Sequence, residues 1–209
     1  MLKVYLTNNV LDFDKYACNI LDDNPSVIWL DTETDITKGG IDVLQLCYEV
    51  GGLIFDHHSE ILLGNDDTPC NTNKNYNVFI FLLSKYEINY LPKYITKILK
   101  SKNIIKVGCD ITTDIMRIKQ KYVIDIDGYV DTQYISISIG ILDYFLDSLS
   151  KRFLDMNKSK TDLLANWSKN ITNKQMKYAA MDAYMSLMTY NRFYKISKMV
   201  NEIRCVVPM

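Results

Sequence analysis

The sequence predicts a mixed α/β domain, with a central sheet and helices on its faces. Three observations lead there. The apolar run VIWL (27–30) stops abruptly at a cluster of acids; β-rich runs fill the first half of the chain; and helical periodicity alternates with strands and then dominates from about residue 129.

Taken in order, KVYL (3–6) reads as a short strand, and the stretch from Asp12 to Leu21 as a helix. Asp22 to Pro25 form a turn, and VIWL is an uninterrupted apolar run bounded by turn residues, the pattern of a strand covered on both faces. The Gly39-Gly40 dipeptide suits a hairpin turn, so DVLQLCYEV (42–50) is expected to pair antiparallel with VIWL. From Gly51 to Asn77 the pattern breaks down. GNDDTPCNTNKNYN within it is polar and reads as a surface loop, an insertion in the scheme, with GLIFDHH before it as an extra edge strand. His57 and His58 do not suggest a metal site, because neighbours on a strand point to opposite faces. NVFIFLLS is the next strand, YLPKYITKILK an amphipathic helix, and NIIKVG a strand entering a helix near Thr113, with Thr112 or Thr113 as its N-cap. YVDTQYIS opens a largely helical second half. Within it, Thr172 and Gln175 have capping-box spacing, and Met176, Ala179, Ala180, Ala183, Leu187 and Met188 recur at helical intervals.

A chain of 209 residues that is 48% hydrophobic and 23% charged is expected to form a single domain over 1–209, with the insertion at about 51–77. The net charge of −1 conceals basic stretches such as KYITKILKSKNIIK, so a polyanionic partner is not excluded. Five cysteines without a CxxC pair fit a reducing compartment better than a disulfide scaffold or a zinc site. No apolar run is long enough to cross a bilayer, and the amino terminus lacks the apolar region of a signal peptide, so the expectation is a soluble intracellular protein without a membrane partner.

The acids carry the chemistry. Asp31 and Glu33 alternate along an extended chain and leave one face at the carboxyl end of the VIWL strand. Two carboxylates so placed repel unless a proton or a cation intervenes, and oxygen ligands favour Mg²⁺ or Mn²⁺. Taken alone, such a pair does not distinguish a metal site from chance surface acids. Tyr178 and Asp182 stand four apart on the late helix and so share a face. Asp114, in KVGCDITTD, falls in a first helical turn, where the helix dipole favours an acid.

In this order, the motifs resemble the 3′-5′ exonucleases of the DEDDy group, and within it the Werner-syndrome exonuclease branch, a relative of ribonuclease D. VIWLDTET matches the first motif, VLQLC the following strand, KVGCDITTD the second motif and NWSKNITNKQMKYAAMDAY the third. The similarity runs from about Val27 to Phe193, interrupted by the insertion. It implies a ribonuclease-H-like fold, with two divalent ions, Mg²⁺ or Mn²⁺, held by Asp31, Glu33, Asp114 and Asp182. It further implies that Tyr178 orients the attacking water, and that nucleoside 5′-monophosphates leave from the 3′ end of DNA or RNA. Relatives usually carry a small residue, often Gly, where Asp110 stands, and that acid is either an addition to the metal cluster or the strand's polar end. Asp131 matches a position near the site and is expected to support it rather than bind metal. Trp167 is expected to anchor a loop on the core, and Lys106, Arg117, Lys151, Arg152, Lys169 and Lys174 are candidate phosphate contacts. The rival reading is a catalytically silent nucleic-acid-binding module of the same fold.

Overall fold

The computed structural model describes residues 2–34, 41–50, 60–63, 75–85, 90–157, 167 and 171–206, with the backbone alone at Val10, 60–63, Lys85 and 197–206. In chain order the elements are β1 (Leu2–Thr7), α1 (Val10–Asp23), β2 (Val27–Glu33), β3 (Val43–Val50), β4 (Glu60–Leu63), β5 (Asn75–Leu82), α2 (Lys93–Lys100), β6 (Ile105–Gly108), α3 (Ile111–Tyr122), β7 (Tyr129–Asp131), α4 (Thr132–Ser138), α5 (Leu146–Leu154) and α6 (Asn173–Val206).

The strands form one mixed sheet in the order β4-β1-β5-β3-β2-β6-β7. β2 lies antiparallel to β3 and parallel to β6, β6 is parallel to β7, and β1 is parallel to β5. The expected antiparallel pairing of VIWL with DVLQLCYEV is present, registered as Trp29 opposite Cys47 and Asp31 opposite Gln45.

Strand alternation sorts the sequence into two cores. Ile28, Leu30, Leu44, Leu46, Phe79 and Phe81 face α1, α2 and α3, whose Phe13, Ile20, Ile95, Ile98, Ile111 and Ile115 complete one buried cluster. Trp29, Val43, Cys47, Val78, Ile80 and Val107 face the other way, against Ala179, Ala180, Ala183 and Leu187 of α6. Both faces of VIWL are therefore covered, as its unbroken apolar character requires. Full burial of a Phe or Leu side chain contributes about 1.5–3 kcal/mol relative to exposure, so these two layers dominate the fold's stability.

Local signals place the helix ends. Asn9 caps α1 through its side-chain oxygen, which accepts from the Leu11 amide. The capping box of α6 is complete: the Thr172 amide donates to Gln175 Oε1 at 2.9 Å, and the Gln175 amide to Thr172 Oγ1 at 3.2 Å.

The start of α3 differs from expectation. Neither Thr112 nor Thr113 is its N-cap; Asp110 is, with φ of 65° in the left-handed region, and the helix begins at Ile111. A β-branched residue tolerates that conformation poorly, whereas Asp does so more readily. Just before it, Gly108 allows a close approach, since a Cβ there would stand 2.8 Å from the Leu30 carbonyl oxygen and 2.9 Å from Ile111 Cβ. Within the 51–77 stretch, 60–63 form the edge strand β4 and β5 begins at Asn75. GLIFDHH, His57, His58, most of the polar loop and the Gly39-Gly40 turn lie outside the described residues.

Candidate active site

The end of β2 meets acids on both sides of the sheet, its own on one face and Asp114 of α3 on the other. Asp31 and Glu33 leave the face covered by α6, whereas Thr32 between them is buried on the other side, where its hydroxyl donates to Asp114 Oδ1 at 2.6 Å. One strand terminus thus joins an acid-bearing helix on each face.

On the α6 side a cleft of about 440 Å³ opens at this point. Asp31 and Glu33 of β2 line it together with Tyr178, Asp182 and Ser186, which stand at successive four-residue steps along α6. Trp29, two residues before Asp31, lies on the same side, and Phe145, Leu146 and Asp147 at the start of α5 close it opposite. Cys109, Asp110 and Gln133 complete the lining. Asp182 is 4% exposed and Tyr178 8%, so both are held rather than free to wander. Trp167 is buried as expected, its ring 6.5 Å from that of Tyr178.

Asp31, Glu33, Tyr178 and Asp182 therefore line the cleft together, whereas Asp114 does not line it but lies against Asp31 from the α3 side. It sits in the first turn of α3 as expected, is buried, and is not among the residues lining the cleft. Burial and then the Asp31 charge push its carboxyl well above the usual carboxylate range, against the pull of the Thr32 hydroxyl and Arg117. The Arg117 guanidinium lies 3.7 Å away.

Asp110 and Asp131 separate in role. Asp131 Oδ1 accepts from the Asp110 and Gln133 amides and its Oδ2 from the Thr112 hydroxyl, tying β7 and the start of α4 to the β6–α3 junction. These bonds hold the backbone at Asp110 and Gln133, both of which line the cleft. Asp110 accepts from the Thr113 hydroxyl at 2.9 Å on the exposed rim. The Cys109 thiol beside it is pushed up to about 11, mainly by burial.

The cleft lining holds five acids, Asp31, Glu33, Asp110, Asp147 and Asp182, and among the described residues no Lys, Arg or His. The candidate phosphate contacts among the described residues do not line the cleft. Lys106 is the clearest correction: it is fully buried, and its Nζ donates to the Ser101 and Ile104 carbonyls at 2.6 and 3.0 Å, closing the end of α2. Burial lowers its pKa to about 8. Lys151 pairs with Asp155, Arg152 lies over the Phe153 ring, and Lys169 is outside the described residues.

Among the described residues no group of three His, Cys, Asp or Glu side chains is already arranged to hold a metal ion. An open wall of hard carboxylate oxygens nonetheless fits Mg²⁺ or Mn²⁺, because such an ion retains several waters and is bound through one or two carboxylates plus substrate oxygens rather than by an all-protein cage. Several residues of the site are not evident from the motifs. Trp29 and Ser186 follow from extending the strand and helix periods by one step, whereas Gln133, Phe145 and Asp147 arrive from distant elements with no local signal. Gln45 is also part of the surroundings, its Nε2 donating to Glu33 Oε1 at 3.5 Å.

Comparison with known proteins gives these features a family. A family model described as 3′-5′ exonuclease matches residues 70–198, which includes Asp114, Tyr178 and Asp182. Exonuclease 3′-5′ domain-containing protein 2 of Drosophila melanogaster is 30% identical over 105 residues, 49% of this chain and 18% of that protein. The chain spans less than half the length of the curated relatives it matches. Among solved structures, the catalytic core of RRP6 from Trypanosoma brucei has a TM-score of 0.71 at 18% identity, covering 95% of this chain and 48% of that one. Brucella melitensis NrnC with bound Mg²⁺ has a TM-score of 0.63 at 13% identity, covering 93% and 81%. These likenesses show the shared ribonuclease-H-like fold, and no described helix is long and apolar enough to cross a membrane. By its family match over most of its length, the chain belongs to the 3′-5′ exonuclease family.

Proposed function

We propose that this chain is a metal-dependent 3′-5′ exonuclease that releases nucleoside 5′-monophosphates from the 3′ end of DNA or RNA. The observation that carries the reading is the charge of the cleft: five carboxylates and no described basic residue line the site. A phosphodiester is repelled from such a surface unless cations lie between. The magnesium-bound relative of the same fold supports the same requirement.

In this reading Asp31, Glu33 and Asp182 present oxygens to two divalent ions, and Asp114 joins them from the α3 side. Two such ions, when bound, acidify the attacking water and stabilise the departing 3′ oxygen. The protein's own groups supply position. Tyr178, one turn before Asp182, holds the water by hydrogen bonding, since a phenol with a reference pKa near 10 is a poor free base. Phe145 is 61% exposed at the rim and offers a face for the terminal base. The NWSKNITNKQMKYAAMDAY stretch supports membership of the Werner-like branch. A silent binding module is disfavoured, because chemistry alone accounts for keeping the four acids and the tyrosine together. The test is Asp182→Ala: it is expected to remain folded, to bind Mn²⁺ weakly by titration calorimetry and to release no mononucleotides. Wild-type release by that variant would overturn the assignment.

A further inference from the structure

Gln45 lies at the centre of β3, directly opposite Asp31 and diagonal to both Glu33 and Trp29. Directly paired side chains in an antiparallel ladder share a face, with Cβ atoms about 4.5–5.5 Å apart, so Gln45 stands beside the carboxylates and between β3 and α6. It is fully buried, and its same-face neighbours on β3, Val43 and Cys47, are apolar core residues.

A polar residue in this place opposes stability. Only the amide nitrogen can face the Glu33 carboxylate, which fixes the side chain's orientation and leaves the carbonyl as its other end. The Nε2 contact to Glu33 Oε1 is 3.5 Å, at the long limit of a hydrogen bond, and Gln45 Oε1 is closed to solvent with no hydrogen-bond partner among the described residues. Leaving a buried acceptor unmet costs about 1–3 kcal/mol, a cost that a methionine of similar volume would avoid. Packing therefore gives no reason for a glutamine here.

We infer that Gln45 is a positioning residue of the cation site: its amide N–H aims the Glu33 carboxylate that lines the cleft. The inference rests on the metal-dependent reading above. Groups that orient metal ligands in this way typically change metal affinity 10- to 100-fold when removed.

The experiment is Mn²⁺ titration calorimetry on the full chain, wild type against Gln45→Met, with melting in EDTA alongside. Gln45→Met is expected to melt in EDTA at or above the wild-type temperature and to bind Mn²⁺ about 10- to 100-fold more weakly. Wild-type affinity in the folded variant would overturn the inference. On the wild-type protein, the Gln45 side-chain amide resonances are expected to shift as Mg²⁺ is added, and resonances that stay fixed at saturation would overturn it even if the variant fails to fold. A wild-type chain that takes up no Mn²⁺ would instead remove the metal-dependent reading itself.

Discussion

Replacing Asp114 with asparagine separates what this residue does for the fold from what it does for catalysis. The carboxyl is buried beside Asp31, and its pKa is held well above the usual carboxylate range by burial first and the Asp31 charge second. An acid with a raised folded pKa keeps its proton in the native state at a pH where the unfolded chain has lost it. Its penalty to stability is absent below the unfolded pKa of about 3.9, grows by about 1.4 kcal/mol per pH unit up to the folded pKa, and stays constant above that. Asparagine mimics the neutral carboxyl, and its oxygen still accepts from the Thr32 hydroxyl, which now donates at 2.6 Å. The substitution gives up the ion pair with Arg117, whose half-exposed side chain lies 3.7 Å away, an interaction worth about 0–1 kcal/mol, while the asparagine amide can still donate to the Asp31 carboxylate beside it. We therefore expect Asp114→Asn to stabilise the metal-free protein by about 0.5–2 kcal/mol at pH 7, or roughly 1–8 °C in melting temperature. The gain should vanish as the pH falls toward 4. The assay is calorimetric melting of both proteins in EDTA from pH 4 to 8. A variant less stable at pH 7, or a gain that does not change with pH, would refute the reasoning that Asp31 and burial strain this carboxyl. With Mg²⁺ present the ranking should narrow or reverse, because the variant has one carboxylate fewer for the ion.

Two further substitutions probe neighbouring residues. Tyr178→Phe should keep Mn²⁺ and oligonucleotide affinity near wild type while lowering turnover about 10²-fold or more, seen by single-turnover kinetics; an unchanged rate would make the tyrosine a packing residue. Asp110→Gly should relieve a left-handed backbone at φ 65°, change stability by less than about 1 kcal/mol and leave Mn²⁺ affinity intact by calorimetry, whereas a fall in affinity would make Asp110 a ligand.

What the sequence made legible was local. Trp29, Asp31 and Glu33 share a face because strands alternate, Tyr178 and Asp182 share one because helices repeat, and the Thr172–Gln175 box formed bond for bond. What it hid was tertiary. Lys106 looks like any surface lysine in a basic stretch, yet the parallel pairing of β6 with both β2 and β7 buries it under the end of α2. The N-cap of α3 fell on Asp110 rather than on a threonine, with the chain turning through the left-handed region at that residue, which no local capping pattern announces. Asp114 was correctly placed in its helical turn, but its position off the cleft wall depends on which face of β2 receives α3. The acid-only lining of the cleft is equally invisible in a chain whose charges nearly cancel.

The central claim is directional hydrolysis at a metal-loaded acidic cleft, and one measurement addresses it directly: digestion of 5′-labelled single-stranded and recessed DNA and RNA, with a free or a blocked 3′ end, in Mg²⁺, Mn²⁺ or EDTA. The account predicts a ladder that shortens from the free 3′ end, nucleoside 5′-monophosphate as product, strong slowing by the 3′ block, and no reaction in EDTA. Equal cutting of a circular strand, or digestion that persists in EDTA, would contradict it.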